Sequence, residues 1–103
     1  MKTYNKLVRD RIPEIIQSNG EKPDIEILDD ERFLQELHKK LFEEAKEFVE
    51  DDSKEELADL MEVIYAIARL RGIDLNEVEK IRKQKAQKRG AFDQKIFLKN
   101  VGK

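Results

Sequence analysis

Four carboxylates recur at a spacing that sets them in pairs: Glu44 and Glu47 lie three residues apart, and so do Glu56 and Asp59. Residues three apart on an α-helix share a face, so each pair offers two oxygen donors side by side. Between the pairs stands Glu50-Asp51-Asp52-Ser53, a polar turn with an amphipathic helical pattern on either side. A hairpin closing at that turn sets one pair against the other. Carboxylates crowded together without partners repel, and a hard divalent cation with a preference for oxygen, Mg2+ or Mn2+, relieves that repulsion.

In a chain that is 43% charged, most acidic pairs are solvated surface, so helical phase has to discriminate. At roughly 100° per residue, Leu34, Leu37, Leu41, Ala45 and Phe48 form the apolar stripe of the first helix of the hairpin. Glu44 falls on the edge of that stripe, three after Leu41 and four before Phe48, whereas Glu43 points almost directly away. On the next helix Glu56 precedes Leu60 by four, and Asp59 precedes Val63 by four, which lines both up with apolar residues. The competing reading is caps and surface salt bridges. It takes a definite form for the second motif: Ser53-Lys-Glu-Glu56 fits a capping box that would occupy Glu56, while Asp52-Ser-Lys-Glu55 fits one residue earlier and would free it. Both registers are open at this level.

Two cationic groups complement the acids. Lys80, Arg82, Lys83, Lys85, Lys88 and Arg89 cluster late in the chain, where Val78 and Ile81 begin an apolar face that continues as Lys85 and Lys88. Lys80, Arg82 and Lys83 suit a solvated face near a helix C-terminus. Lys85 and Arg89, one turn apart beside Gly90, suit phosphate oxygens, Arg through its bidentate fork and Lys as a point charge. The other group is Asn5-Lys6-Leu7-Val8-Arg9-Asp10-Arg11, in which Leu7, Val8 and Ile12 anchor the backbone. Lys6 and Arg9 are therefore phosphate-binding candidates, with pairing to the acidic hairpin as the equal alternative. Aromatic interleaving of the kind that stacks single-stranded bases is missing from the basic helix. His38 is the only histidine, so the Glu-x-x-His pattern of carboxylate-bridged di-iron bundles fails.

These residues must be positioned by a small, mainly all-α chain. At 103 residues, 1–103 is expected to be a single domain. A short helix after Pro13 ends near Asn19-Gly20, a second starts at Asp29 or Asp30 and runs to about Val49, and a third spans Ser53 to Arg71 with Gly72 as its cap. A fourth opens at Asp74-Leu-Asn-Glu77 and closes at Gly90. Short β arms are expected near 24–28 and 95–99, where apolar residues alternate or cluster. The third helix carries Leu57, Leu60, Met61, Val63, Ile64, Tyr65, Ile67 and Leu70 over more than half of its circumference, more than one neighbour can cover. A homodimer or homotetramer is expected. The absence of cysteine excludes disulfides and thiolate metal sites and fits a cytoplasmic location; no apolar run approaches a membrane span, and no secretory signal is seen at the start.

The string Lys40-Leu-Phe-Glu-Glu44-Ala-Lys-Glu47, followed by Glu56-Leu-Ala-Asp59-Leu-Met-Glu62, resembles the Glu-x-x-Glu plus Glu-x-x-Asp motif of the MazG-like, all-α nucleoside triphosphate pyrophosphohydrolases, a superfamily that includes phosphoribosyl-ATP pyrophosphohydrolase. The opening YNKLVRDRIPEII and the closing KAQKRGAFDQKIFL resemble the ends of its small house-cleaning subgroup. The resemblance implies Mg2+-dependent hydrolysis of a nucleoside triphosphate, expected to be non-canonical, to a nucleoside monophosphate and pyrophosphate. It implies Glu44, Glu47, Glu56 and Asp59 as metal ligands or water-orienting bases, Lys85 and Arg89 as phosphate ligands, and a homo-oligomer. Asp59-Leu-Met-Glu62-Val departs from the Tyr-His pair usual after the Asp in phosphoribosyl-ATP pyrophosphohydrolases, which argues against a histidine-biosynthetic role; whether Glu62 is a further ligand stays open. The runner-up is a non-catalytic helical nucleotide-binding or protein-interaction module, and nucleic-acid binding through the basic fourth helix comes third.

Overall fold

The apolar and capping patterns resolve into four helices, α1 (Ile12–Ser18), α2 (Asp30–Asp51), α3 (Lys54–Arg71) and α4 (Leu75–Arg89), in a computed structural model that describes residues 2–103. The described residues contain no strand, so the fold is all-α. None of these helices is long and apolar enough to cross a membrane. The chain divides into two compact units, one running to Gly72 and the other from Ile73 to Lys103.

The first unit is organised by the α2–α3 hairpin. Asp29 starts α2 by accepting a hydrogen bond from the Arg32 N–H at 2.8 Å, which satisfies one of the free donors of the first turn. The helix stops at Asp52, whose φ of 51° and ψ of 40° put it in the left-handed region. Aspartate tolerates that region better than most side chains, and the reversal takes only two residues before α3 begins. Ser53 caps α3, its Oγ accepting from the Glu56 N–H at 3.2 Å. Gly72 ends α3 at a φ of 65°, a conformation that costs glycine nothing.

The hairpin's core is small. Leu37 of α2 and Val63 and Ala68 of α3 are buried, and Leu34, Leu41, Ala45 and Phe48 beside Leu37 are half-buried, so the expected stripe is the packed one. Leu60, Ile67 and Leu70 are also half-buried on α3. Leu57, Met61, Ile64 and Tyr65, offset round α3 from that face, are exposed, as are Phe42 and Val49 on α2. Apolar area is thus left uncovered on both helices of the hairpin.

The β arms are corrected. Residues 24–28 run without ladder pairing, and Glu26 instead ties the segment to α2 through a 3.0 Å ion pair with Arg32. Residues 95–99 are broken at their start by Lys95, whose φ of 60° is incompatible with a strand. In the second unit Asp74 caps α4 by accepting from the Asn76 N–H at 2.9 Å, and Phe92, Ile96, Phe97, Leu98 and Val101 after the helix are exposed.

The turn makes a local prediction. Ser53→Ala should lower unfolding stability in urea by about 1 kcal/mol, whereas Asp52→Gly should be neutral or mildly stabilising, because glycine takes the left-handed conformation without strain. Destabilisation by Asp52→Gly as large as that by Ser53→Ala would contradict this account of the turn.

Candidate metal centre

Position on the hairpin decides what the four motif carboxylates can do. Glu44 lies in the packed face of α2, seven residues after Leu37 and four before Phe48, and is only 7% exposed. Its neighbour Glu43 is exposed, as the helical phase demands. Glu56 sits in the first turn of α3 and Asp59 in the next, both half-buried. One carboxylate oxygen from each of Glu44, Glu56 and Asp59 lies within 4.8 Å of the others. Glu47 stands outside that trio but close to it, and its charge acts on both Glu44 and Glu56.

The cluster is short of compensation. Glu44 Oε2 and Glu56 Oε2 are buried with no hydrogen-bond partner. The capping question is settled in part by this: Ser53 does cap α3, yet Glu56 keeps an oxygen unpaired. Burial, then the charge of Glu47, pushes the Glu44 pKa above its ordinary value, and the Lys40 ammonium opposes the shift. For Glu56, burial comes first, followed by the charges of Glu47, Asp59, Asp51 and Glu44, and the pKa again rises. Lys40 reaches Glu44 Oε1 at 3.5 Å and shares itself with Glu43 at 3.7 Å, too long for a strong hydrogen bond.

Arg9 is the cation that comes nearest. Its Nη2 donates to Asp59 Oδ1 at 2.7 Å, and its Nη1 lies 3.9 Å from Glu62 Oε1. Glu62 is held from its other side by Arg69 at 3.5 Å, so it serves two guanidinium groups. Of the two readings of the early cationic segment, pairing with the acidic hairpin is therefore realised by Arg9, while Lys6 is exposed. Lys40 lies outside the acidic pairs, and the signal for it in the sequence is the four-residue spacing to Glu44 that makes helical neighbours.

Lys85 and Arg89 belong to the second unit. With Ile81 and Lys88 they line one open concavity of about 560 Å3 along the end of α4, while Arg82 is taken up by Glu79 on the same helix. His38 is exposed on α2.

The donor set fits a hard divalent cation. All three donors are carboxylate oxygens, the ligands Mg2+ and Mn2+ prefer, and two of them bring buried oxygens with no other partner. On an octahedral Mg2+ with bonds of about 2.1 Å, adjacent ligands stand about 3.0 Å apart and opposite ones about 4.2 Å, so oxygens that lie within 4.8 Å of one another must draw together to share one ion. Comparison with protein-family models, with curated proteins and with solved structures gives no match, and the chemistry of the cluster rests on its own geometry.

The raised carboxyls predict an unusual pH dependence. A carboxyl whose pKa is higher folded than unfolded holds its proton longer in the folded state, so stability falls as pH rises from the unfolded value through the folded one, and the penalty is complete above the folded value. In EDTA, Glu44→Gln should melt several degrees above the unsubstituted chain at pH 8, the effect of relieving on the order of 1 kcal/mol. That difference should shrink as the pH is lowered to 5. A Glu44→Gln variant that melts lower at pH 8 would show Glu44 to be compensated.

Proposed function

We propose that this chain is a Mg2+-dependent nucleoside triphosphate pyrophosphohydrolase of the MazG-like kind, producing a nucleoside monophosphate and pyrophosphate, with non-canonical nucleotides as the expected substrates. The observation that carries the reading is Glu44, a buried carboxylate with an unpartnered oxygen, converging on Glu56 and Asp59 across a tight helical hairpin. Mn2+ is the expected substitute for Mg2+.

A divalent cation held there would mask triphosphate charge and acidify a bound water. Glu44, Glu56 and Asp59 are the residues that would hold it. Glu47, whose charge raises the pKa of both glutamates, would keep the pocket negative and serve as a further metal ligand or a water-orienting base. For Lys85 and Arg89 of α4 the resemblance implies contacts to phosphate oxygens and to the pyrophosphate leaving group. Arg9 and Lys6 are the further phosphate ligands, Arg9 already standing at the rim of the cluster.

The same reading makes the protein a homodimer or homotetramer. Leu57, Met61, Ile64 and Tyr65 of α3 and Phe42 and Val49 of α2 are exposed, and covering apolar area is worth about 25 cal/mol per Å2. Helices of a second copy would complete the bundle. The second reading, an interaction module without catalysis, is favoured by the exposed Phe92, Ile96, Phe97, Leu98 and Val101, which suit a partner of another kind; it requires no metal.

Pyrophosphate release from a panel of canonical and modified nucleoside triphosphates decides between the two, and silence across the panel with both Mg2+ and Mn2+ would remove the enzymatic reading. Glu44→Gln and Asp59→Asn should each reduce turnover by about a hundredfold or more, and Glu43→Gln should leave it within about twofold of the unsubstituted rate, on the order of a surface substitution. Light scattering should give a mass of at least two chains, lost in Ile64→Glu; a stable monomer at micromolar concentration would contradict the assembly.

A further inference from the structure

We propose that Arg9 is an exchangeable internal counter-ion of the carboxylate cluster, seated on Asp59 while the cluster lacks a metal and displaced when a divalent cation is bound. The proposal rests on the metal-binding reading above and adds to it a competition within the chain.

The cluster's three carboxylates are treated unequally. Glu44 and Glu56 each keep a buried oxygen without a partner, whereas Asp59 Oδ1 accepts a 2.7 Å charge-assisted hydrogen bond from Arg9. Arg9 thus offsets acidic charge at one side of the cluster and leaves the deeper oxygens open. A doubly charged ion brought among those oxygens repels the guanidinium, and it competes for the Asp59 oxygen that the guanidinium uses. What holds Arg9 is weak by comparison, because its side chain is 59% exposed and exposed ion pairs contribute little. Repulsion between a dication and a neighbouring cation exceeds that contribution at contact distances.

The local structure permits the exchange without disturbing the hairpin. The Arg9 carbonyl accepts from the Ile12 N–H at 3.0 Å, and Leu7 is half-buried, so the backbone is fixed just ahead of α1 while the side chain remains free to swing. Glu62, one turn beyond Asp59 on α3, already lies 3.9 Å from the other Arg9 nitrogen. It offers a resting place that keeps the guanidinium at the rim, where a phosphate could take it up.

The test is Mn2+ binding to the full chain, followed by calorimetry or electron paramagnetic resonance. Arg9→Ala should bind Mn2+ about three- to tenfold more tightly than the unsubstituted chain, the gain expected from removing an exposed ion pair and a nearby like charge, and Arg9→Lys should fall between them. Equal or weaker binding by Arg9→Ala would overturn the exchange and make Arg9 a brace that preorganises Asp59. Failure of the unsubstituted chain and of Arg9→Ala alike to bind Mn2+ would remove the metal reading itself, and this proposal with it. Should Arg9→Ala fail to fold, the unsubstituted chain decides: Mg2+ should move the Arg9 Nε–H resonance to the position of an unpaired guanidinium, and an unmoved resonance at saturation would refute the exchange.

Discussion

Closing the α2–α3 hairpin buries Leu37, Val63 and Ala68, and the same closure carries Glu44 out of water on the same face of α2 as Leu37 and Phe48. A lone carboxylate there is costly, and Lys40 compensates it at one oxygen, 3.5 Å away, while the other has no partner. Everything else in the first unit follows from that conflict between apolar burial and carboxylate desolvation. The two-residue reversal at Asp52 and Ser53 fixes the register of α3 so that Glu56 and Asp59 arrive beside Glu44. The crowding raises the pKa of Glu44 and Glu56 together. A leucine at position 44 would pack there without that penalty, and the carboxylate in its place is the observation on which the proposed metal site rests.

Much of this was legible in the sequence because helices convert spacing into direction. The three-residue spacings identified the pairs, the stripe from Leu34 to Phe48 identified the packed face, and the phase separated Glu44 from Glu43. Phase alone placed Glu44 on the edge of the stripe, whereas packing makes it one of the few buried residues. The cap on α3 needed coordinates, since Asp52 and Ser53 offered two registers, resolved by the left-handed conformation of Asp52 and the hydrogen bond that Ser53 accepts from the Glu56 N–H. Arg9 meeting Asp59 spans 50 residues, and no local pattern encodes such a distance. The β arms failed for a related reason. Alternation around Ile25 shows that a segment can be extended, but a strand also needs a partner backbone, and the arm finds a side-chain tie between Glu26 and Arg32 instead.

The exposed apolar residues set the scale of what lies outside one copy of the chain. Among the described residues three apolar side chains are buried, few for a chain of 103 residues, since small domains are already marginal in the area they bury. The Leu57, Met61, Ile64 and Tyr65 face of α3 is contiguous with the hairpin core, so covering it would extend that core rather than create a separate one. It would also stiffen α3, on which Glu56, Asp59 and Glu62 depend for their mutual spacing. A second copy on that face would couple assembly to the spacing of the carboxylates through a single helix.

The most direct test of the account is whether the carboxylate cluster binds a divalent cation through Glu44. Thermal melting at pH 8 with and without Mn2+ measures this, because a ligand that binds only the folded state raises its stability in proportion to the logarithm of its concentration. The melting temperature should rise with Mn2+ concentration, and the rise should be abolished in Glu44→Gln, the variant that starts from the higher melting temperature without metal. An unchanged melting temperature, or a rise that survives Glu44→Gln intact, would contradict it.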